Sequence, residues 1–282
     1  MNHFQNSTNN LYLKPIIYPN DDKETYFVSQ SEVTELISDG ELPTFCLNDY
    51  EFVENAPKIA VLLTRDKHPD RELADYSMPI ATIDAIVSRG GKPCFICFEK
   101  VKEQLDIIKP DGIYLPGGDF AFPDNWTIGK SAHAIEEIRT QAYIGCLNYA
   151  KENQLPVLGI CAGMQMLAGF CGAKITQIPN HRGKIKDFAH TIKINQGSLL
   201  FDITNNGECF VNTNHSEAVS FNNIGDCIVT ATSPDGIIEA IELKNPWNKF
   251  VIGIQSHPEY FVKSGDVLAV KLFSAFIEAC KK

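Results

Sequence analysis

The sequence predicts an α/β protein built on a mostly parallel sheet. From Lys58 onward, short apolar runs of strand length alternate with segments of helical spacing, and the runs are almost continuously hydrophobic. Such runs are typical of parallel strands that helices cover on both faces. The chain has 282 residues, of which 44% are hydrophobic, so it can bury a large core in one domain or two. We therefore expect helices on both sides of a central sheet.

The first 56 residues differ from the rest and are predicted to form an extension that packs on the main body. Aromatic side chains between residues 12 and 27 favour burial over exposure. Ser29 and Glu32 are spaced as a capping box, and Gly40 follows as a stop signal, so a short helix is expected between them.

Residues 57–282 are predicted to form the main domain, in which strands and helices alternate before strands become dominant. The alternation extends to Gly172 and is the order expected of βαβ units. The later part reads as strand-rich additions that end in an amphipathic helix. The predicted strands are 58–64, 92–98, 111–115, 155–160, 190–194, 209–214, 227–243 and 250–255, and the predicted helices are 76–88, 101–108, 131–151, one directly after Cys161 and one from Val267.

Charge and cysteine content narrow the classes of function. The formal net charge of −10 would repel nucleic acid and an anionic membrane surface, so neither is expected as a partner. We recognise no signal peptide and no apolar run long enough to span a membrane. Nine cysteines, scattered through apolar segments, do not resemble a secreted disulfide framework and favour a reducing cytoplasm.

No cofactor and no metal are expected from the sequence. Cys94 and Cys97 have C-x-x-C spacing, but an offset of three in a strand points them to opposite faces. Other ligands with metal-site spacing are not recognised, and neither is a Walker or dinucleotide fingerprint. The sequence does not decide the oligomeric state, for which a homodimer is one option.

Cys161 occupies the position of a nucleophile. It follows an apolar strand and precedes a helix, flanked by Gly159 and Gly163 as G-x-C-x-G. A sharp strand-to-helix turn of this kind strains the nucleophile's backbone and needs small neighbours. The amides and dipole of the helix N-terminus favour a thiolate over a thiol. A buried structural cysteine is the alternative that the motif alone leaves open.

Two further strands end in groups that complement a thiol. His257 follows the last predicted strand, and Glu259 lies on the same side of an extended backbone, where it can orient the imidazole. Gly117 and Gly118 follow the third strand and can turn backbone amides toward an anion. Taken singly, these are also a solvated ion pair and an ordinary glycine turn. Because sites in α/β sheets form at the carboxyl ends of strands, the three together favour a catalytic site.

These motifs resemble the class I glutamine amidotransferase superfamily. The segments "LPVLGICAGMQ", "SHPE" and "LPGG" carry the likeness, and "NHRG", "AHTIKI", "FVNTNHSEAV" and "SPDGIIEAIEL" are similar to its γ-glutamyl hydrolase branch, the C26 peptidases. The likeness runs from about Lys58 to the C-terminus. It implies a flavodoxin-like three-layer α/β/α fold, with residues 57–282 as the catalytic domain.

The resemblance also implies a reaction. Cys161 would attack a γ-glutamyl amide carbonyl and form a thioester, His257 would shuttle the proton, and Glu259 would orient His257. The amides of Gly118 and Ala162 would form the oxyanion hole. The expected partner is a small γ-glutamyl substrate, from which glutamate and an amine are released.

Four further residues are substrate-binding candidates on the same resemblance. Gly117 belongs to the glycine turn, Gln165 lies one helical turn after Cys161, and Asn212 and His215 fall in "NTNHSEAV". For Gln165 a solvated helix position, and for His215 a structural role, stay open as alternatives.

Two departures from the branch pattern bear on the leaving group. Ala162 stands where the branch usually carries arginine, and Ser216 and Glu217 replace its second histidine and its glutamine. If these side chains line the pocket, the missing cation and the added carboxylate disfavour a second carboxylate on the amine. A neutral or cationic leaving amine is therefore expected.

Two other classes of function stay open. The first is a glutaminase subunit that uses the same triad to deliver ammonia to a synthetase partner. The second is a catalytically silent binding protein on the same fold, against which the presence of Cys161, His257 and Glu259 argues.

Overall fold

The computed structural model describes residues 10–17, 24–47, 50–67 and 74–282. The strands in these ranges are β1 (Asn10–Tyr12), β2 (Lys14–Ile17), β3 (Glu24–Val28), β4 (Thr44–Cys46), β5 (Lys58–Leu62), β6 (Thr64–Lys67), β7 (Ala74–Pro79), β8 (Lys92–Ile96), β9 (Gly112–Leu115), β10 (Thr127–Ile128), β11 (Val157–Ile160), β12 (Ile175–Gln177), β13 (His190–Ile194), β14 (Glu208–Val211), β15 (Glu217–Val219), β16 (Cys227–Thr232), β17 (Ile238–Leu243) and β18 (Val251–Ile254). The α-helices are α1 (Gln30–Ser38), α2 (Ile80–Val87), α3 (Val101–Ile108), α4 (Glu137–Glu152), α5 (Ala162–Phe170), α6 (Leu199–Thr204) and α7 (Val267–Ala279). No helix among these residues is long and apolar enough to cross a membrane.

A nine-stranded sheet forms the centre of the molecule. Its order is β14-β13-β16-β17-β18-β11-β9-β5-β8. The five strands from β18 to β8 run parallel, and the strands from β17 to β14 continue the sheet in antiparallel pairs. The predicted α/β class, with a mostly parallel core and strand-rich C-terminal additions, is confirmed.

Helices cover both faces of this sheet and bury its strands. One layer holds α3, α4 and α5, and the other holds α2, α6 and α7. All residues of β9, β11 and β18 are buried, which explains their continuous hydrophobicity. Because β11 lies between β9 and β18 in parallel register, the carboxyl ends of these three strands meet at one edge of the sheet.

Two predicted helices begin later than the sequence indicated. Residues 74–79, which include the start of the helix predicted at 76–88, form strand β7, which pairs with β6 and β3. Its residues from Asp75 to Met78 are all buried, so tertiary pairing overrides local helical spacing here. The helix predicted from Ser131 begins at Glu137, because the preceding segment bridges Ala121 instead.

The N-terminal part shares a second sheet with later residues. Strands β2, β3, β7 and β6 pair in that order, so residues from both sides of position 57 form one sheet. The predicted helix is present as α1, with Ser29 at its N-cap. Its side chain does not cap the helix but contacts the Ser31 hydroxyl at 2.7 Å. Of the aromatics noted in this region, Tyr18 lies outside the described residues.

The packing of α5 against β9 gives a stability prediction. A Cβ on Gly163 would collide with the backbone carbonyl of Leu115, which cannot rotate away. Overpacking of this kind costs about 1–3 kcal/mol, so Gly163→Ala should lower the unfolding free energy measured in urea by at least that amount. The matched control is Gly145→Ala in α4, where the Cβ would meet only the Val101 side chain at 3.3 Å. Equal losses in the two variants would contradict this account.

Candidate active site

Cys161 lies at a sharp turn between β11 and α5. Its φ of 51° and ψ of −109° are unusual for a residue with a Cβ, so the turn is strained. Two glycines allow the turn to pack: a Cβ on Gly159 would lie 2.7 Å from the Gly163 carbonyl oxygen, and Gly163 itself abuts Leu115. The side chain of Cys161 is thereby held at the N-terminus of α5.

His257 follows β18 and is held by contacts on its ring and its backbone. Its Nδ1 lies 2.8 Å from Glu259 Oε1, and both side chains are buried. Asn212 bonds the backbone on both sides: His257 N–H donates to Asn212 Oδ1 at 2.7 Å, and Asn212 Nδ2 donates to the His257 carbonyl at 3.0 Å. The ring orientation is therefore fixed, with Nε2 left for another group.

The neighbours of His257 favour its charged form. Burial alone lowers the pKa of His257, but Glu259 and Cys161 outweigh burial and raise it to about 10. A hydrogen bond to the Cys161 side chain is among the causes. The arrangement can therefore hold an imidazolium beside the sulfur, as acyl transfer by a cysteine requires.

The glycine turn after β9 lies against both His257 and Cys161. A Cβ on Gly117 would lie 2.6 Å from His257 Cε1 and 3.2 Å from Cys161 Cβ, so only glycine fits between them. Gly118 has a φ of 151° and packs directly against the Arg139 guanidinium. Ala162 is the first residue of α5, so its amide has no acceptor within the helix. The Ala162 amide, directly after Cys161, is therefore available to a ligand, and Gly118 lies in the same pocket as Cys161.

A pocket of about 380 Å³ opens over these groups. Gly117, Gly118, Cys161, His257 and Glu259 all contribute to its lining. The structure thus brings five of the sequence-derived candidates together in one pocket.

The other four candidates, Ala162, Gln165, Asn212 and His215, do not line this pocket. Gln165 is buried, and its amide donates to Gln255 Oε1 at 2.9 Å and to the Glu217 carbonyl at 2.5 Å. Asn212 is occupied by the backbone of His257, as described above. His215 is buried away from the pocket with its Nδ1 3.0 Å from the Glu217 carbonyl, and burial lowers its pKa to about 3. The positions of the last three fit support of neighbouring segments rather than contact with a ligand.

The basis for expecting a neutral or cationic leaving amine is also changed. Glu217 is buried, accepts the Ala132 amide at 2.8 Å and does not line the pocket. Ala162 does not line it either. The condition on which that expectation depended is therefore not met.

Charged residues that the motifs did not indicate line the pocket instead. Arg65 of β6 and Arg139 of α4 supply cations, and Asp66 and Asp119 supply carboxylates. Asp119 directly follows the glycine turn and could have been noticed in the sequence. The other three come from segments without a motif, and only the fold brings them to the site.

Known proteins resemble this chain over most of its length. The family model for peptidase C26 matches residues 50–259. The chain belongs to the peptidase C26 family. A protein of Rickettsia prowazekii named as glutamine amidotransferase-like is 32% identical to this C26 member over 260 residues, covering 73% of this chain and 90% of the relative.

A second relative and a solved structure extend the comparison. The γ-glutamyl-γ-aminobutyrate hydrolase of Escherichia coli K12 is 28% identical to this C26 member over 254 residues, covering 82% of this chain and 96% of the relative. The crystal structure of a Thermoplasma acidophilum protein described as a GMP synthase subunit matches with a TM-score of 0.56 at 19% identity. That match covers 81% of this chain and 96% of the other. It supports the flavodoxin-like fold.

The raised pKa of His257 predicts a pH-dependent stability. The folded pKa of about 10 exceeds the reference value of 6.5, so the stabilisation is fully present below pH 6.5 and lost as pH rises through about 10. Glu259→Gln removes a cause of this shift. The unfolding free energy of the native protein should therefore exceed that of the variant most at about pH 6, with the difference narrowing by about pH 10.5.

The measurement is urea unfolding at both pH values. Glu278→Gln is the matched control, because Glu278 is exposed and pairs with Lys281, far from His257 in the sequence. Its difference from the native protein should be small at both pH values. A Glu259→Gln difference that stays constant with pH would show that His257 is not charged in the folded state.

Proposed function

We propose that this C26 family member is a cysteine hydrolase that cleaves a γ-glutamyl amide bond and releases glutamate and an amine. The observation that carries the proposal is a cysteine on a strained turn, sharing one pocket with a histidine that a buried carboxylate keeps charged. Membership of a family with a γ-glutamyl-γ-aminobutyrate hydrolase among its relatives supports the substrate class.

The residues divide the reaction into two steps. The Cys161 thiolate attacks the γ-carbonyl carbon, and the amides of Gly118 and Ala162 stabilise the oxyanion that forms. His257 gives its proton to the departing amine, which leaves a γ-glutamyl thioester. His257 then takes a proton from water, whose oxygen attacks the thioester, and glutamate leaves as the sulfur is regenerated as a thiolate. Glu259 accepts the Nδ1 proton of His257, so Nε2 is the nitrogen that gives the proton in the first step and takes one in the second.

The charges of the pocket suit the head group of a γ-glutamyl compound. Arg65 Nη1 lies 2.9 Å and Arg139 Nη1 3.5 Å from the same carboxylate, Glu136. Two guanidinium groups that share one carboxylate leave a net positive charge for the α-carboxylate of a glutamyl group. Asp66 and Asp119, which also line the pocket, can accept the α-ammonium group.

A second candidate is a glutaminase that supplies ammonia to a synthetase. The name of the Rickettsia relative as glutamine amidotransferase-like favours it, and the chemistry at Cys161 would be the same. The two functions differ in the substrate turned over by the isolated chain, which makes them separable.

A panel of substrates tests the proposal. Glutamine and γ-glutamyl amides of an anionic, a neutral and a cationic amine are incubated with the isolated protein, and released glutamate is measured. We expect release from at least one γ-glutamyl amide, and Cys161→Ser should lower kcat by at least about a thousandfold. Cys171→Ser, at the half-buried C-cap of α5, should keep full activity.

Each other outcome has a definite meaning. Glutamate from glutamine alone, increased by a co-purified synthetase, would support the glutaminase instead. No release from any compound, with no labelling of Cys161 by an electrophilic glutamine analogue, would support a silent binding protein.

Recognition of the α-carboxylate gives a further prediction. A γ-glutamyl amide should exceed its 4-aminobutyryl analogue, which lacks that carboxylate, by roughly 10- to 100-fold in kcat/KM, because a charged hydrogen bond contributes about 1.5–3 kcal/mol. Arg65→Gln should shrink this preference. Lys102→Gln is the control, since Lys102 is exposed, pairs with Asp106 at 2.7 Å and does not line the pocket. An unchanged preference in Arg65→Gln would show that Arg65 does not bind the α-carboxylate of the substrate.

A further inference from the structure

Three histidines and a glutamate gather beside the active site without lining its pocket. We call His181, His190, His215 and Glu239 the histidine-glutamate cluster. His181 and His215 lie in the loops before β13 and β15, His190 begins β13, and Glu239 belongs to β17. His181, His215 and Glu239 are buried, with 4%, 3% and 1% of their surface exposed. The proposed reaction uses none of these groups.

Each imidazole donates its N–H away from the centre of the cluster. His215 Nδ1 lies 3.0 Å from the Glu217 carbonyl oxygen, and His190 Nδ1 lies 3.0 Å from the Thr191 carbonyl oxygen. A carbonyl oxygen only accepts, so the proton sits on Nδ1 in both rings. His181 Nε2 lies 2.9 Å from Asp235 Oδ2, and its proton is fixed in the same way. The remaining nitrogen of each ring, if neutral, carries a lone pair.

Those three lone pairs point at the carboxylate of Glu239. Its Oε1 lies 3.8 Å from His181 Nδ1, 3.7 Å from His190 Nε2 and 3.8 Å from His215 Nε2. Among the described residues, His190 Nε2, His215 Nε2 and both Glu239 oxygens are buried without a hydrogen-bond partner. Thr213 Oγ1 approaches His181 Nδ1 at 3.4 Å, but its proton goes to the His181 carbonyl at 2.9 Å.

Such a set of acceptors is unfavourable on its own. Three lone pairs and a carboxylate repel one another in a dry interior, and buried polar atoms without partners are costly. A proton on Glu239 would satisfy one nitrogen and leave two. A cation at the centre would satisfy all four atoms at once.

We propose that the histidine-glutamate cluster binds a divalent transition-metal ion, with Zn²⁺ as the ion that suits it best. Ligand atoms of His181, His215 and Glu239 all lie within 4.8 Å of one another. His190 Nε2 lies 3.7 Å from Glu239 Oε1 but outside that set, and it becomes a fourth donor when its ring turns toward the ion. Imidazole nitrogens with one carboxylate oxygen favour zinc over Mg²⁺ or Ca²⁺, which prefer oxygen ligands. The outward N–H bonds are the second-shell contacts that metal-binding histidines make.

Three of the four ligands lie close to tetrahedral spacing. Zinc bonds of about 2.0–2.2 Å place tetrahedral ligands about 3.3–3.5 Å apart. The distances from Glu239 Oε1 to the three nitrogens, 3.7 and 3.8 Å, exceed this by a few tenths of an ångström. His190, which is outside the set of ligands within 4.8 Å of one another, has to move further than the other two rings. With His190 as the fourth ligand no coordination position stays open, so the proposed role of the ion is structural.

The site connects the segments that surround His257. His215 lies three residues after Asn212, whose side chain bonds the backbone of His257 on both sides. The backbone N–H of Gln255 donates to the backbone carbonyl of Glu239 at 2.8 Å. This hydrogen bond links β17 to the strand that leads into His257. A bound ion would therefore restrain the loop and strand that position the histidine.

Metal content and melting temperature test the proposal on the full chain, purified without a histidine tag. Plasma mass spectrometry should find close to one zinc per chain. Removal by a chelator should lower the melting temperature, and added Zn²⁺ should restore it. Glu239→Gln and His215→Ala should lose the bound ion. His133→Ala, a half-buried histidine outside the cluster that contacts Ser216, should keep it.

A milder variant guards against misfolding. Asp235, with 60% of its side chain exposed, contacts His181 only through its outward nitrogen, so Asp235→Asn should weaken Zn²⁺ affinity by about 10- to 100-fold while the chain stays folded. Substituted Co²⁺ should give the absorption of a tetrahedral nitrogen and oxygen site without a thiolate charge-transfer band.

Two results would overturn the proposal. The first is a native protein that holds no metal and whose melting temperature does not respond to Zn²⁺. The second is undiminished zinc in folded His215→Ala, which would assign the ion to the cysteines. Neither measurement depends on γ-glutamyl hydrolysis, so failure of the metal site and failure of the proposed reaction are distinguishable.

Discussion

The hydrogen bond between Glu259 and His257 is the interaction on which the site depends. A buried imidazole would ordinarily be neutral, and a neutral ring could not stabilise a neighbouring thiolate or protonate a departing amine. The 2.8 Å contact with Glu259 helps to reverse that tendency. The two hydrogen bonds between Asn212 and the His257 backbone keep the ring beside Cys161. The strained cysteine can act as a thiolate in this pocket only if His257 beside it is charged and held in place.

The sheet explains how such distant residues meet. Cys161, the glycine turn at Gly117 and His257 follow three strands that are neighbours in the parallel sheet. Strand order therefore assembles the site, and the glycines allow it to close without steric conflict. The C-terminal strand-rich part carries Asn212 and the histidine-glutamate cluster. Through Asn212 and Glu239 it is hydrogen-bonded to the segment that contains His257.

The sequence predicted the α/β fold well because buried parallel strands leave long apolar runs that little else produces. Cys161, His257 and Glu259 could be found because each follows such a run within a short motif. Local spacing misled at Ala74–Pro79, where pairing with β3 and β6 overrides helical periodicity. Gln165, Asn212 and His215 were singled out, but a motif does not show which way a side chain points. The pocket cations and the histidine-glutamate cluster come from distant segments, so no local spacing marks them.

Strand β3 contributes Thr25 to the lining of the pocket that holds Cys161 and His257. The proposed catalytic residues and part of the pocket lining thus come from segments that are far apart in the sequence. Exchanging strands β2 and β3 between homologues would change the lining of the pocket while leaving Cys161, His257 and Glu259 in place. The choice of ligand can in this way diverge among homologues while Cys161, His257 and Glu259 stay the same.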